Sequence, residues 1–82
     1  MKKSIYSRKQ EILIRCLIKA REAAGFTQQA VADRLGKPQS FVAKYENGER
    51  RLDVVEFLEI AEILGVNTDV IIQEVVRARG PH

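Results

Sequence analysis

Apolar residues recur at three- and four-residue spacing along almost the whole chain, and the strict alternation of a half-buried strand is scarce. The pattern predicts an all-α domain of five helices. The first opens at Ser7, whose hydroxyl and Gln10 three residues on have capping-box spacing. It carries a stripe of Leu13, Leu17, Ala20 and Ala24, with Ile14 and Ile18 beside it, and stops at Gly25. The second follows Thr27 as N-cap and runs to Leu35, with Val31 and Leu35 facing inward. The third begins around Pro38, placed at the first helical position, and ends near Glu46 before an Asn47-Gly48 turn. The fourth is capped by Asp53 with Glu56 three residues on and is closed by Gly65. The fifth follows Asn67 over about residues 68–78, with Asp69 in its first turn and Arg77 and Arg79 near its end. Gly80, Pro81 and His82 are expected to fray, and His82 carries no visible chemistry.

The junction between the second and third helices carries the most information. Gly36 is followed by only Lys37 and Pro38 before the third helix begins, so the two helices must cross steeply. The turn calls for a positive φ, which glycine tolerates. Ala32 is placed where the helices approach most closely, and Val42 plugs the gap from the other side.

Composition narrows the field. At 82 residues the chain is expected to be a single domain, residues 1–82. The one cysteine, Cys16, reads as a small buried hydrophobe; it cannot form an internal disulfide, which fits a reducing cytoplasm. Charged residues interrupt every apolar run before the seventh position, so neither an export signal nor a membrane span is expected. One Cys and one His offer no metal set. With no nucleophile–base pair, phosphate-binding glycine loop or cofactor motif, an enzyme is the least supported class.

Charge adds direction. Net charge is +3, but residues 1–51 carry twelve cations against five anions and residues 52–82 two against six. A basic front and an acidic back suit a polyanion on one face; two differently solvated surfaces are the plainer alternative.

The segments TQQAVADRLG (Thr27 to Gly36) and SFVAKYENG (Ser40 to Gly48), with the trailing LGV (Leu64 to Val66), make the chain similar to the lambda-repressor/Cro-like, or Xre, helix-turn-helix family over about residues 17 to 66. The resemblance implies a compact five-helix DNA-binding domain, usually a dimer on a two-fold operator, with the helix-turn-helix at about residues 28–47. It places Gln39, Ser40 and Lys44 at base-facing positions of a helix lying in the major groove, where the Gln39 amide can pair with adenine N6/N7 and Lys44 can reach guanine or a phosphate. It gives Gln28 a phosphate contact and the task of bracing Gln39, and it pairs Arg21 with Glu46 in a partly buried ion pair that fixes the third helix. Thr27 can cap its helix and donate to a phosphate. Lys37, Asn47, Arg50 and Arg51 fall where the sugar-phosphate backbone would pass, and the sequence does not choose which of the two arginines could enter a minor groove. Phe41 is open between a thymine-methyl contact and the core; Val42 and Tyr45 read as core.

The function expected is a sequence-specific regulator of transcription, most simply a dimeric repressor. With no ligand domain in view, its regulation would come from concentration, a protein partner or proteolysis. The alternative is an antitoxin-like module that holds a protein partner, such as a toxin, through its apolar C-terminal helix. Ile71, Ile72, Val75 and Val76, with the surplus apolar residues of the first and fourth helices, are the expected homodimer surface. It would set the two recognition helices about 34 Å apart.

Overall fold

Ser7, itself extended, caps the first helix, its Oγ accepting the Gln10 N–H at 3.3 Å. The computed structural model describes residues 7–78; Lys2, Lys3, Arg79 and the expected frayed tail of Gly80, Pro81 and His82 lie outside them. Five α-helices follow: α1 (Arg8–Ala23), α2 (Gln28–Leu35), α3 (Gln39–Glu46), α4 (Val54–Leu64) and α5 (Thr68–Arg77). The described residues include no strand.

Most helix ends follow the sequence signals. Thr27 Oγ1 accepts the Ala30 N–H at 3.0 Å, and Asn67 Oδ1 accepts the Asp69 N–H at 2.8 Å. Asp53 and Glu56 complete a reciprocal capping box at 2.7 and 2.9 Å. Two starts differ from expectation. Gln10 does not reach back to Ser7; its Oε1 is buried without a hydrogen-bond partner, so Ser7 caps α1 alone. Pro38 is the N-cap of α3 rather than its first helical residue: its ψ of 156° is extended, and its ring satisfies the required φ of −70° without offering a capping oxygen.

Gly36 makes the turn between α2 and α3. Its φ of +70° is left-handed, and the following Lys37 N–H donates back to the Ala32 carbonyl at 3.0 Å. The chain thereby leaves α2 within two residues and enters α3 at once. Ala32 and Val42 are completely buried, as the close crossing of the two helices requires.

The core joins Leu17, Val31, Ala32, Val42, Tyr45 and Ile60 to Ile14, Phe41, Phe57, Leu64 and Ile71. Two helices, the first and the last, face differently from the sequence reading, and the fourth resolves which of its apolar residues turn inward. On α1 the buried pair is Ile14 and Leu17; Leu13 and Ala20 are half-buried and Ala24 is exposed. On α4 Phe57 and Ile60 turn inward and Leu58 outward. On α5 Ile71, only 3 % exposed, belongs to the chain's own core and is corrected out of the expected dimer surface. Ile71 and Val75, four residues apart, share the inward face, whereas Val70, Ile72 and Val76 are exposed. None of the described helices is long and apolar enough to cross a membrane.

Candidate nucleic-acid interface

The two faces of α3 divide cleanly. Phe41, Val42 and Tyr45 are buried, while Gln39, Ser40 and Lys44 are exposed. Offsets of one helical turn, Ser40 to Lys44 and Phe41 to Tyr45, produce this division. Phe41 is 9 % exposed and meets the Tyr45 ring edge-on at 5.7 Å between centroids, which resolves its two readings in favour of the core. Burial pushes the Tyr45 hydroxyl well above the usual tyrosine range.

A chain of hydrogen bonds runs from α1 to the tip of α3. Arg21 Nε donates to Glu46 Oε2 at 2.7 Å, and Arg21 Nη2 to Glu46 Oε1 at 3.2 Å. Arg21 Nη1 also donates to the Phe26 carbonyl at 2.9 Å. Gln28 Nε2 donates to Glu46 Oε1 at 2.8 Å, and Gln39 Nε2 donates to Gln28 Oε1 at 2.7 Å. The Glu46 side chain is 5 % exposed, and three donors, two from Arg21 and one from Gln28, meet its carboxylate there. The bond to Glu46, foremost, holds the Arg21 guanidinium above its ordinary pKa, against the opposing effect of burial.

The network dictates orientation. With its amino group on the Glu46 carboxylate, Gln28 must turn its oxygen toward Gln39. Gln39 then spends one N–H on that oxygen and retains its Oε1 and its second N–H. One acceptor and one donor side by side is the combination that matches adenine N7 and N6.

The other predicted residues lie at both ends of α3 and in the loop beyond it, and in the turn before α2, in different states. Thr27 is exposed and uses its hydroxyl as an acceptor, which leaves the proton to donate. Lys37 is exposed with its ammonium 5.2 Å from the Phe41 ring centroid. Asn47 is the exposed C-cap of α3, and Arg51 is exposed in the loop beyond it. Arg50 is engaged within the fold. Its guanidinium lies 4.6 Å from the Phe41 centroid and donates twice to the Glu56 carboxylate, at 3.0 and 2.8 Å. That pairing, with the Asp53 N–H, holds the Glu56 carboxyl below its ordinary pKa. The sequence reading missed this clamp; its signal was a carboxylate in the first turn of α4, six residues after Arg50.

A second feature is apolar. A groove of about 270 Å³ is lined by Leu13, Leu52, Phe57, Leu58, Ile72 and Val76, among others, and borders the outward face of α5. The described residues hold no group of three potential metal ligands.

Comparison with known proteins places this geometry. A family model described as helix-turn-helix matches residues 17–71. An XRE-family like protein from Pseudomonas syringae pv. tomato str. DC3000 is 44 % identical, with a TM-score of 0.78 over 83 % of each chain. The chain belongs to the XRE family of helix-turn-helix proteins. The SPbeta prophage-derived uncharacterized HTH-type transcriptional regulator YonR of Bacillus subtilis (strain 168) is 37 % identical over 57 residues. That match takes in 70 % of this chain and 53 % of YonR, so the chain spans about half the length of that relative. The restriction-modification controller protein C.Esp1396I, solved as a tetramer with its natural 35 base-pair operator, shares the fold at a TM-score of 0.74 and 20 % identity, over 88 % of this chain and all of its own.

Proposed function

We propose that the chain is a sequence-specific, double-stranded DNA-binding regulator of transcription, acting as a homodimeric repressor that reads the major groove with α3. The observation that carries this reading is the Gln28 amide held between Glu46 and Gln39. An exposed glutamine otherwise samples many rotamers; here its orientation is set before any ligand arrives, and the entropy of ordering it is already spent. Gln39 reads a base pair, Ser40 and Lys44 flank it, and Thr27, Gln28, Lys37, Asn47 and Arg51 position the backbone. Arg50, neutralised by Glu56, contributes by shaping the loop more than by its charge.

The dimer is built on the outward face of α5 and the start of α4, where Val54, Leu58, Ile72 and Val76 are exposed around the apolar groove. Isologous pairing of this face would carry two copies of α3 to successive turns of a two-fold operator. C.Esp1396I, with the same fold, is held on its operator as a tetramer.

The test is selection of bound duplexes from a random pool by the full chain. The expected product is a two-fold site whose affinity falls steeply with salt as counterions are released. Gln39→Ala is expected to relax one base position per half-site. A chain that selects no sequence and stays monomeric at tens of micromolar would instead support the antitoxin-like reading, in which the apolar face of α5 holds a different protein such as a toxin.

A further inference from the structure

The C-terminus of α5 is built unlike that of the helices before it. Gly36 and Gly65, both left-handed, close α2 and α4, whereas α5 ends on Ala78 in an extended conformation. The Ala78 N–H returns to the Val75 carbonyl at 3.1 Å, and the other terminal carbonyls still need donors. Lys9, in the first turn of α1, supplies two of them and gives Val75 a second donor. Its Nζ donates to the carbonyls of Val75 at 3.0 Å, Val76 at 3.0 Å and Ala78 at 3.2 Å. An ammonium has three N–H donors, and three oxygens take them. Its positive charge also sits at the negative end of the α5 dipole.

This cap crosses 66 to 69 residues of sequence and joins the first described helix to the last. Lys9 and Leu13 are four residues apart on one face of α1, and Leu13 lines the apolar groove whose other wall is Ile72, Val75 and Val76. A ten-residue helix whose one fully buried residue is Ile71 is marginal on its own. The lysine therefore fixes the last turn of α5, and with it Val76, relative to the opposite wall of the groove.

We infer that Lys9 is a positioning residue for self-association: by capping α5 from α1 it holds the groove wall in the shape that a second copy recognises. This rests on the homodimer reading above. It predicts that loss of one exposed charge, 66 to 69 residues before the helix end it caps, weakens the dimer without disturbing the DNA-facing helices.

The test compares the full-length wild type with Lys9→Met, which keeps the aliphatic stem and removes the donors, and with Lys9→Arg, which restores charge and donors. Hydrogen exchange reads the amides of residues 75–77, and sedimentation equilibrium reads the dimer. In Lys9→Met those amides are expected to exchange about tenfold faster while α2 and α3 keep wild-type protection. Its dimer dissociation constant is expected to rise roughly fivefold or more, with Lys9→Arg recovering much of both changes. Binding to a single half-site should be unaltered. Unchanged exchange overturns the cap, and faster exchange with an unchanged dimer constant overturns the positioning role while leaving the dimer intact. A wild type that never dimerises removes the dimer reading and the positioning role with it; the exchange comparison then decides the cap by itself.

Discussion

The carboxamide nitrogen of Gln39 lies 2.7 Å from the carboxamide oxygen of Gln28, so the residue that opens α3 is held by the residue that opens α2. Gln28→Ala removes the brace and leaves the Gln39 side chain chemically intact but free to reorient. If the brace prepares Gln39 for a base, Gln28→Ala should lose part of the roughly 1–3 kcal/mol of discrimination that a bidentate contact supplies. Gln28→Ala and Gln39→Ala should also be non-additive, with a coupling of about 0.5–3 kcal/mol. Equilibrium binding of both single variants and the double variant to the selected operator and its single-base variants measures this. Additive losses would mean that the bond transmits nothing to recognition.

One link further in, Arg21 gives Glu46 two of its three hydrogen bonds. Arg21→Ala leaves a nearly buried carboxylate with Gln28 alone, and unfolding in urea should register a loss of about 3–5 kcal/mol. The double variant Arg21→Met/Glu46→Leu removes both charges and should recover much of that stability, yet Gln39 would have lost the chain that orients it. Stability and specificity should therefore separate in the double variant. A double variant that keeps full base discrimination would show that the ion pair supports the fold alone.

Two of these links, Gln28 to Gln39 and Arg21 to Glu46, were legible through the family resemblance, which assigned their partners. The bond from Gln28 to Glu46 was not, because an amide and a carboxylate eighteen residues apart leave no local signature. The helix phases were less legible. Leu13-Ile14 on α1 and Phe57-Leu58 on α4 set two apolar residues on neighbouring positions about 100° apart. Either can face inward, and the decision belongs to the helix packed against them. Ile71 and Ile72 pose the same choice on α5. The Arg50–Glu56 clamp and the Lys9 cap were invisible for another reason: lysine, arginine and glutamate on exposed positions look alike whether solvated or engaged, and the Lys9 contacts span most of the chain.

Arg50 tests that distinction. The sequence suggested a phosphate contact, whose removal would weaken all DNA alike and lower the salt slope by about one. The clamp predicts that Arg50→Ala lowers stability and leaves the salt slope nearly unchanged. It also predicts an acid signature. Glu56 has a lowered folded pKa, so its contribution is complete above the unfolded carboxylate value of about 4.3 and is lost as pH falls through the lower folded value. Wild-type stability should decline in that window, and Glu56→Gln should flatten the decline. Chemical denaturation between about pH 6 and pH 2.5 checks the sign. An Arg50→Ala variant with wild-type stability and a shallower salt slope would return this arginine to the phosphate.

Neighbouring isoleucines on α5 separate the core from the interface. Ile71 is 3 % exposed and Ile72 45 %, though both are β-branched and adjacent. Ile71→Ala opens a cavity in the apolar core and should cost about 2–5 kcal/mol of stability at any protein concentration. Ile72→Ala should leave the isolated chain nearly as stable, because that side chain already meets water. Ile72→Glu goes further. In an isologous pair it sets a carboxylate against the apolar groove of the second copy, and each dimer carries the fault twice. A loss of roughly a hundredfold or more in dimer affinity is expected, about 2.7 kcal/mol. On DNA the variant should bind one half-site with nearly wild-type affinity and lose the advantage of the complete two-fold site. Light scattering and binding to half and whole operators give the two readouts. Should Ile72→Glu remain a dimer and still prefer the whole site, the outward face of α5 is not where the copies meet.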